Sequence, residues 1–180
     1  MTHRNLHLFK DLYKADLSRY AGHITLYLRV LFFLYRRVQT TNNPILKRFL
    51  KLCYNIHCRR NGLEIDSLHI GGGLYLGHVY NITINPNAKI GRNCNIHKGV
   101  VIGQTNRGKN KGVPTIGDNV WIGINAAIVG GISVGNDVLI APNSFVNCDI
   151  PPHSVVYGNP CIVKHRDNAT EGYINNKANI

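Results

Sequence analysis

The feature that most constrains this chain is a repeat with a period of six. Every sixth residue from Ile84 is aliphatic: Ile84, Ile90, Ile96 and Ile102, then, resuming at Ile116, Ile122, Ile128, Val134, Ile140 and Val146. A second column, two residues earlier, is small or aliphatic: Ile82, Ala88, Cys94, Val100, Val120, Ala126, Ile132, Val138 and Ser144. A third, three residues after the first, reads Asn87, Asn93, Gly99, Asn119, Asn125, Gly131, Asp137 and Asn143. These are residue types that tolerate a positive φ. Each unit is therefore a short strand plus a turn, with the aliphatic residue pointing inward onto its copies above and below. Such a unit cannot bury its apolar face alone, so the units must stack. Three of them close one triangular coil, and successive coils rise by one strand spacing, about 4.8 Å. The expected fold is mainly β: a left-handed parallel β-helix of hexapeptide repeats behind a short N-terminal α-helical segment.

The repeat is broken once. Ile102 and Ile116 are 14 residues apart, two more than two repeats, and the intervening segment 104–113 is polar, basic and glycine-rich. It reads as an excursion loop thrown out of the coil, an arm that could reach a neighbouring subunit and line a site.

Ahead of the repeat the chain is different. Residues 1–62 hold 12 of the 21 Lys and Arg but only 2 of the 9 Asp and Glu, so nearly all of the net charge of +12 sits there. Leu6, Phe9, Leu12 and Tyr13, and again Ile45, Phe49, Leu52, Cys53 and Ile56, recur with helical spacing. Asn43 reads as an N-cap with Pro44 in the first turn, and Arg59 to Gly62 ends the last helix. The segment from Leu26 to Arg37 is apolar on nearly every side except at its arginines. It must bury itself against the rest of the protein, another subunit or a membrane surface. Peripheral membrane contact through these basic helices is one expectation, and no nucleic-acid motif accompanies the charge. No stretch reads as membrane-spanning: Ile24 to Tyr35 is too short and contains Arg29. The first residues lack a signal-peptide pattern, which gives a cytoplasmic expectation, with docking at the inner face of the membrane. The five cysteines form no CxxC pair and no zinc spacing, so they read as small hydrophobes and no metal site is expected. The resulting division is a helical segment 1–62, a β-helix 63–164 and a loose polar tail 165–180.

Two histidines stand out. His78 and His97 are 19 residues apart, one coil plus one, which places them on adjacent rungs near one corner. His97 follows the inward Ile96 and so points outward. Strict counting puts His78 on the inward phase, where the repeat is only beginning.

The stretch from Leu63 to Val163 resembles the serine acetyltransferase family of hexapeptide acyltransferases, and more closely the branch of exopolysaccharide and capsule O-acetyltransferases. The resemblance is carried by Gly71-Gly72-Gly73-Leu74-Tyr75-Leu76-Gly77-His78, by the run from Ile84 to Gly103, by Pro114 to Gly123 and by Ile150 to Pro160. It implies that His78 is the general base that takes the acceptor's hydroxyl proton, with Glu64 near the acidic residue that orients it. It also implies that coenzyme A lies in a groove between neighbouring solenoids of a homotrimer. The groove would be lined by Trp121, Gly123, Asn125, Ala141 and Pro142, with Lys164 or Arg166 near the phosphates. Backbone N–H groups of the loop from Gly103 would face the oxyanion. Two departures bear on the acceptor. Gly77 stands where the family has an Asp, and Gly112 and Val113 stand where it has an Arg-His pair. The charges that hold serine, and the second histidine, are thus missing, and His97 is the imidazole that could replace it. The expected function is an acetyl-CoA-dependent O-acetyltransferase acting on a sugar or glycan precursor in surface polysaccharide biosynthesis. The alternative is serine O-acetyltransferase, and a third reading is a non-catalytic solenoid scaffold.

Overall fold

Five turns of short strands stack in the computed structural model, which describes residues 3–179. Met1, Thr2 and Ile180, the outermost residues of the two terminal segments, lie outside the described residues. The first coil holds β1 (Glu64–Ile65) and β2 (Tyr75–Gly77), and the second β3 (Thr83–Ile84), β4 (Lys89–Ile90) and β5 (Asn95–His97). The third holds β6 (Val101–Gly103), β7 (Thr115–Ile116) and β8 (Val120–Ile122). The fourth holds β9 (Ala127–Val129), β10 (Ser133–Val134) and β11 (Val138–Ile140), and the fifth β12 (Phe145–Val146) and β13 (Ser154–Tyr157). The strands form the three faces of a prism: β1-β3-β6-β9-β12, then β4-β7-β10, then β2-β5-β8-β11-β13. The fold is the left-handed parallel β-helix expected from the repeat.

Register follows the inward column. Ile84 pairs with Ile102 and Ile102 with Ile128 on one face, Ile90 with Ile116 and Ile116 with Val134 on the next. On the third face Leu76, Ile96, Ile122, Ile140 and Val156 form one ladder. All the repeat's Ile and Val residues from Ile84 to Val146 in this column are buried. Of the turn column, Asn93, Gly99, Asn119, Asn125, Asp137 and Asn143 take φ between 54° and 73°. Asn87 does not, because Pro86 sets φ in a tight turn that Asn85 closes, its carbonyl accepting from Ala88 N–H at 3.1 Å. At Gly131 the left-handed position moves to Gly130, φ 97°.

The N-terminal helices are α1 (His3–Ser18), α2 (Leu26–Thr40) and α3 (Pro44–Arg59). Asn43 caps α3, its side-chain oxygen accepting from the N–H groups of Ile45 and Leu46. One face of the apolar segment of α2 is buried within the chain, where Leu28, Leu31, Phe32, Tyr35 and Val38 share a core with Leu63, Ile65, Ile70, Leu74 and Leu76 of the first coil, while Leu26, Val30 and Phe33 stay exposed. The helices thereby cover the end of the β-helix. Three tyrosines fasten them, Tyr20, Tyr35 and Tyr54 donating to the carbonyls of Leu76, Ser67 and Ile65. At the centre Arg36 grips Asp16 through two bonds of 2.7 and 2.9 Å, with neither side chain exposed, and donates onward to the carbonyls of Ile70 and Gly71. No helix among the described residues is long and apolar enough to cross a membrane.

The C-terminal segment is not the loose tail expected. A further strand, β14 (Ile162–His165), pairs antiparallel with β13 and closes the edge of the third sheet. The chain then turns back along that sheet. Asp137 accepts from the N–H groups of Ala169 and Thr170 and from the Thr170 hydroxyl. Two coils further on, Ala178 exchanges hydrogen bonds with the Asn93 side chain. The segment's polarity reflects hydrogen bonding to stacked coil corners, which composition alone reads as solvation.

Candidate active site

His97 stands on β5 facing out of the third sheet, between Tyr75 and Trp121. Its ring centroid lies 4.7 Å from that of Trp121. Its Nδ1 is 2.8 Å from the carbonyl oxygen of Ile122. A carbonyl only accepts, so Nδ1 carries the proton and Nε2 keeps its lone pair. Burial pushes the imidazole's pKa below the ordinary value, and neighbouring His78 pushes in the same direction against the Ile122 hydrogen bond. The ring is therefore neutral at physiological pH and its basic nitrogen is fixed by the fold.

Gly77 makes this position possible. It pairs with His97 across the ladder, and a Cβ at Gly77 would lie 2.6 Å from His97 Nε2. The absence of a side chain at 77 and the presence of an imidazole at 97 are one structural fact.

His78 follows directly, but not on the inward phase. Leu76 and Ile84 are eight residues apart where Ile96 and Ile102 are six apart, so this corner holds two extra residues. They push His78 out: it is exposed, with φ of 52°, and its carbonyl accepts from Tyr80 N–H. A cavity of about 370 Å³ lies over His97, walled by Arg19, Tyr20, Tyr75, Trp121 and Tyr173. A second, of about 540 Å³, contains His78 and shares Tyr20, His23 and Tyr75 with the first. The two histidines thus face adjoining parts of one depression. Arg19 braces its floor, donating to Gly73 O, to Asn95 Oδ1 and to Asn175 O.

The other expected residues are scattered over the single chain. Glu64 is exposed on β1 beside Tyr54, Asn55 and Arg59, and among the described residues it makes no hydrogen bond to His78. Trp121 belongs with His97 and meets Tyr173 edge-on at 5.1 Å. Gly123, Asn125, Ala141 and Pro142 form one ridge at the corner after the third face, so tight that a Cβ at Gly123 would lie 2.6 Å from Pro142 N. Gly103 lies at a different edge, at the root of the excursion loop. That loop folds onto the next coil: Thr105 and Gly112 bond to each other, and Asn110 O accepts from Gly131 N–H between β9 and β10. Lys164 and Arg166 are exposed on and just after β14. Tyr20, Arg19 and Tyr173 were not legible as site residues, because they lie in segments outside the repeat.

Residues 114–148 match the family model described as bacterial transferase hexapeptide (six repeats). The serine acetyltransferase of Helicobacter pylori (strain ATCC 700392 / 26695) is 38% identical over 98 residues, covering 54% of this chain and 57% of that one. The serine acetyltransferase of Staphylococcus aureus (strain Mu50 / ATCC 700699) is 35% identical over 112 residues, covering 62% and 53%. The chain thus spans a little over half the length of these relatives. Among solved structures, the soybean serine acetyltransferase apoenzyme superimposes with a TM-score of 0.76 at 22% identity, over 88% of this chain and 69% of that one, a likeness of fold. Neisseria gonorrhoeae serine acetyltransferase in complex with serine gives 0.69 at 27% identity, over 89% and 72%. These findings overturn the expected sugar or glycan acceptor in surface polysaccharide biosynthesis, and no kinship to an exopolysaccharide or capsule branch emerges from them. Gly77, Gly112 and Val113 depart from the family's motif. They alter the contacts around an acceptor without naming another one.

Proposed function

We propose that this chain is an acetyl-CoA-dependent O-acetyltransferase whose acceptor is the hydroxyl of L-serine. The serine acetyltransferase relatives support the acceptor, and one observation supports the chemistry: His97, held neutral with Nε2 unprotonated, beside His78 in one depression. As the serine oxygen attacks the thioester carbonyl, its proton passes to an imidazole nitrogen. The tetrahedral adduct then collapses, the C–S bond breaks, and the imidazolium returns the proton to the departing thiolate. The products are free coenzyme A and O-acetylserine, with no acyl-enzyme on the way. His78, which matches the base position in the resemblance, and His97 handle this proton together. Glu64 has no part in the proposal, since it does not reach His78.

The ridge of Gly123, Asn125, Ala141 and Pro142 is lined by small or short side chains, and it suits the extended arm of coenzyme A running along the prism. Gly103 and its loop stand at another edge, so one chain cannot bring both to the same thioester. Two neighbouring copies can, which is the reason to propose a homotrimer with sites between solenoids. The chain's place would be the cytoplasm, where its two substrates meet.

The test is coenzyme A release with L-serine by wild type, His97→Ala and His78→Ala. Each substitution is expected to lower kcat about 10²–10⁴-fold, the range for a lost general base. Wild-type turnover in His97→Ala would remove His97 from the proposal.

A further inference from the structure

Helix α3 carries an apolar stripe that nothing among the described residues covers. Ile45, Phe49, Leu52 and Ile56 are 79%, 61%, 58% and 54% exposed. Their spacing of four, three and four residues puts them on one face. Leu50, Tyr54 and Cys58 on the opposite face are buried against the first coil, so the orientation of α3 is fixed and the stripe points away from the protein. The stripe is flanked by charge of a single sign. Arg48, Lys51, Arg59 and Arg60 are all exposed, and there is no Asp or Glu between Pro44 and Arg60. Two acids of the first coil lie near the helix, Asp66 at 3.8 Å from Lys51 and Glu64 beside Arg59, and neither offsets Arg48 or Arg60.

We infer that α3 docks its outer face on an anionic lipid surface, with Phe49 and Leu52 entering the headgroup boundary and the flanking arginines and lysine meeting the phosphates. A second copy of the chain is the competing occupant of such a stripe. It would bring the same excess of positive charge into contact, whereas an anionic surface complements it. The helix is 16 residues long, about 24 Å, too short to span the hydrocarbon core, so it lies on the surface. This inference does not rest on the acetyl-transfer reading.

The experiment is co-sedimentation of the full chain with vesicles of phosphatidylcholine alone and of equal parts phosphatidylcholine and phosphatidylglycerol. Binding is expected to the second and not the first, and to weaken as salt is raised. The pair Phe49→Ser and Leu52→Ser, on a surface the fold does not use, is expected to weaken binding on the order of a hundredfold. The pair Arg48→Gln and Lys51→Gln should weaken it about 25-fold, roughly fivefold per charge removed. Absence of binding to the anionic vesicles at low salt, or binding that ignores both pairs, would overturn the inference. A mass increase in light scattering that Phe49→Ser and Leu52→Ser abolish would also overturn it, by assigning the stripe to a second copy.

Discussion

Gly77 lies directly under the imidazole of His97, paired with it across the ladder between β2 and β5, and a Cβ there would stand 2.3 Å from His97 Cδ2. Gly77→Ala should therefore push the ring from its place. The strain of overpacking is expected to cost about 1–3 kcal/mol, and displacement of the base by about an ångström to lower kcat about 100-fold. His97→Ala in the same chain removes the clash, so the double variant should regain the lost stability in a urea titration while staying inactive. Recovery of activity in the double variant would show that the histidine is not needed.

The acid limb of the reaction should report His97. Burial and His78 lower its pKa from the ordinary 6.5, so activity with serine is expected to persist below pH 6.5 and to fall only as pH drops through the lowered value. The sign for stability is the same. The unfolded chain takes up the proton first, so stability is full above the ordinary value and declines as pH falls from there toward the folded value. In His97→Ala, urea midpoints should lose this part of their pH dependence between those two values.

Asp16 and Arg36 should behave as a buried pair whose halves cannot be separated. Asp16→Ala leaves the Arg36 guanidinium unpaired between α1, α2 and the first coil, and removes the acceptor of Leu74 N–H. A loss of about 3–5 kcal/mol is expected by chemical denaturation. A loss below about 1 kcal/mol would mean that water reaches the site.

The excursion loop should depend on Gly131, where a Cβ would lie 2.7 Å from Lys111 O. Gly131→Ala is expected to lift the loop from its seat, where Asn110 also donates to Asn147 O. Limited trypsin digestion should then cut at Arg107, Lys109 or Lys111 several-fold faster, with the β-helix intact by circular dichroism. Unchanged cleavage would show that the loop is not held by this corner.

Much of the fold was legible because the inward column is enforced by burial at every coil: Ile96 or Ile122 can be nothing but apolar, and the period reads directly. The corner at His78 was not, since two added residues shift the phase just where the repeat begins. The C-terminal segment was not legible either, since a polar chain such as Thr170 to Ala178 looks solvated unless one knows that Asp137, Asn95 and Asn93 are stacked beneath it. Of the site, His97 was visible as the outward neighbour of inward Ile96, Trp121 came from the family resemblance, and the structure brings the two together. Glu64 came from the family resemblance alone, and a resemblance does not say which way a side chain on β1 faces. The acceptor was not legible, because missing charges at Gly77, Gly112 and Val113 exclude particular contacts, not a substrate.

The most direct measurement is the formation of O-acetyl-L-serine, followed by mass spectrometry alongside coenzyme A release, from acetyl-CoA and L-serine with the wild-type chain. The account predicts equimolar appearance of both products, saturable in each substrate. Coenzyme A release no faster with serine than with buffer, at any serine concentration, would contradict it.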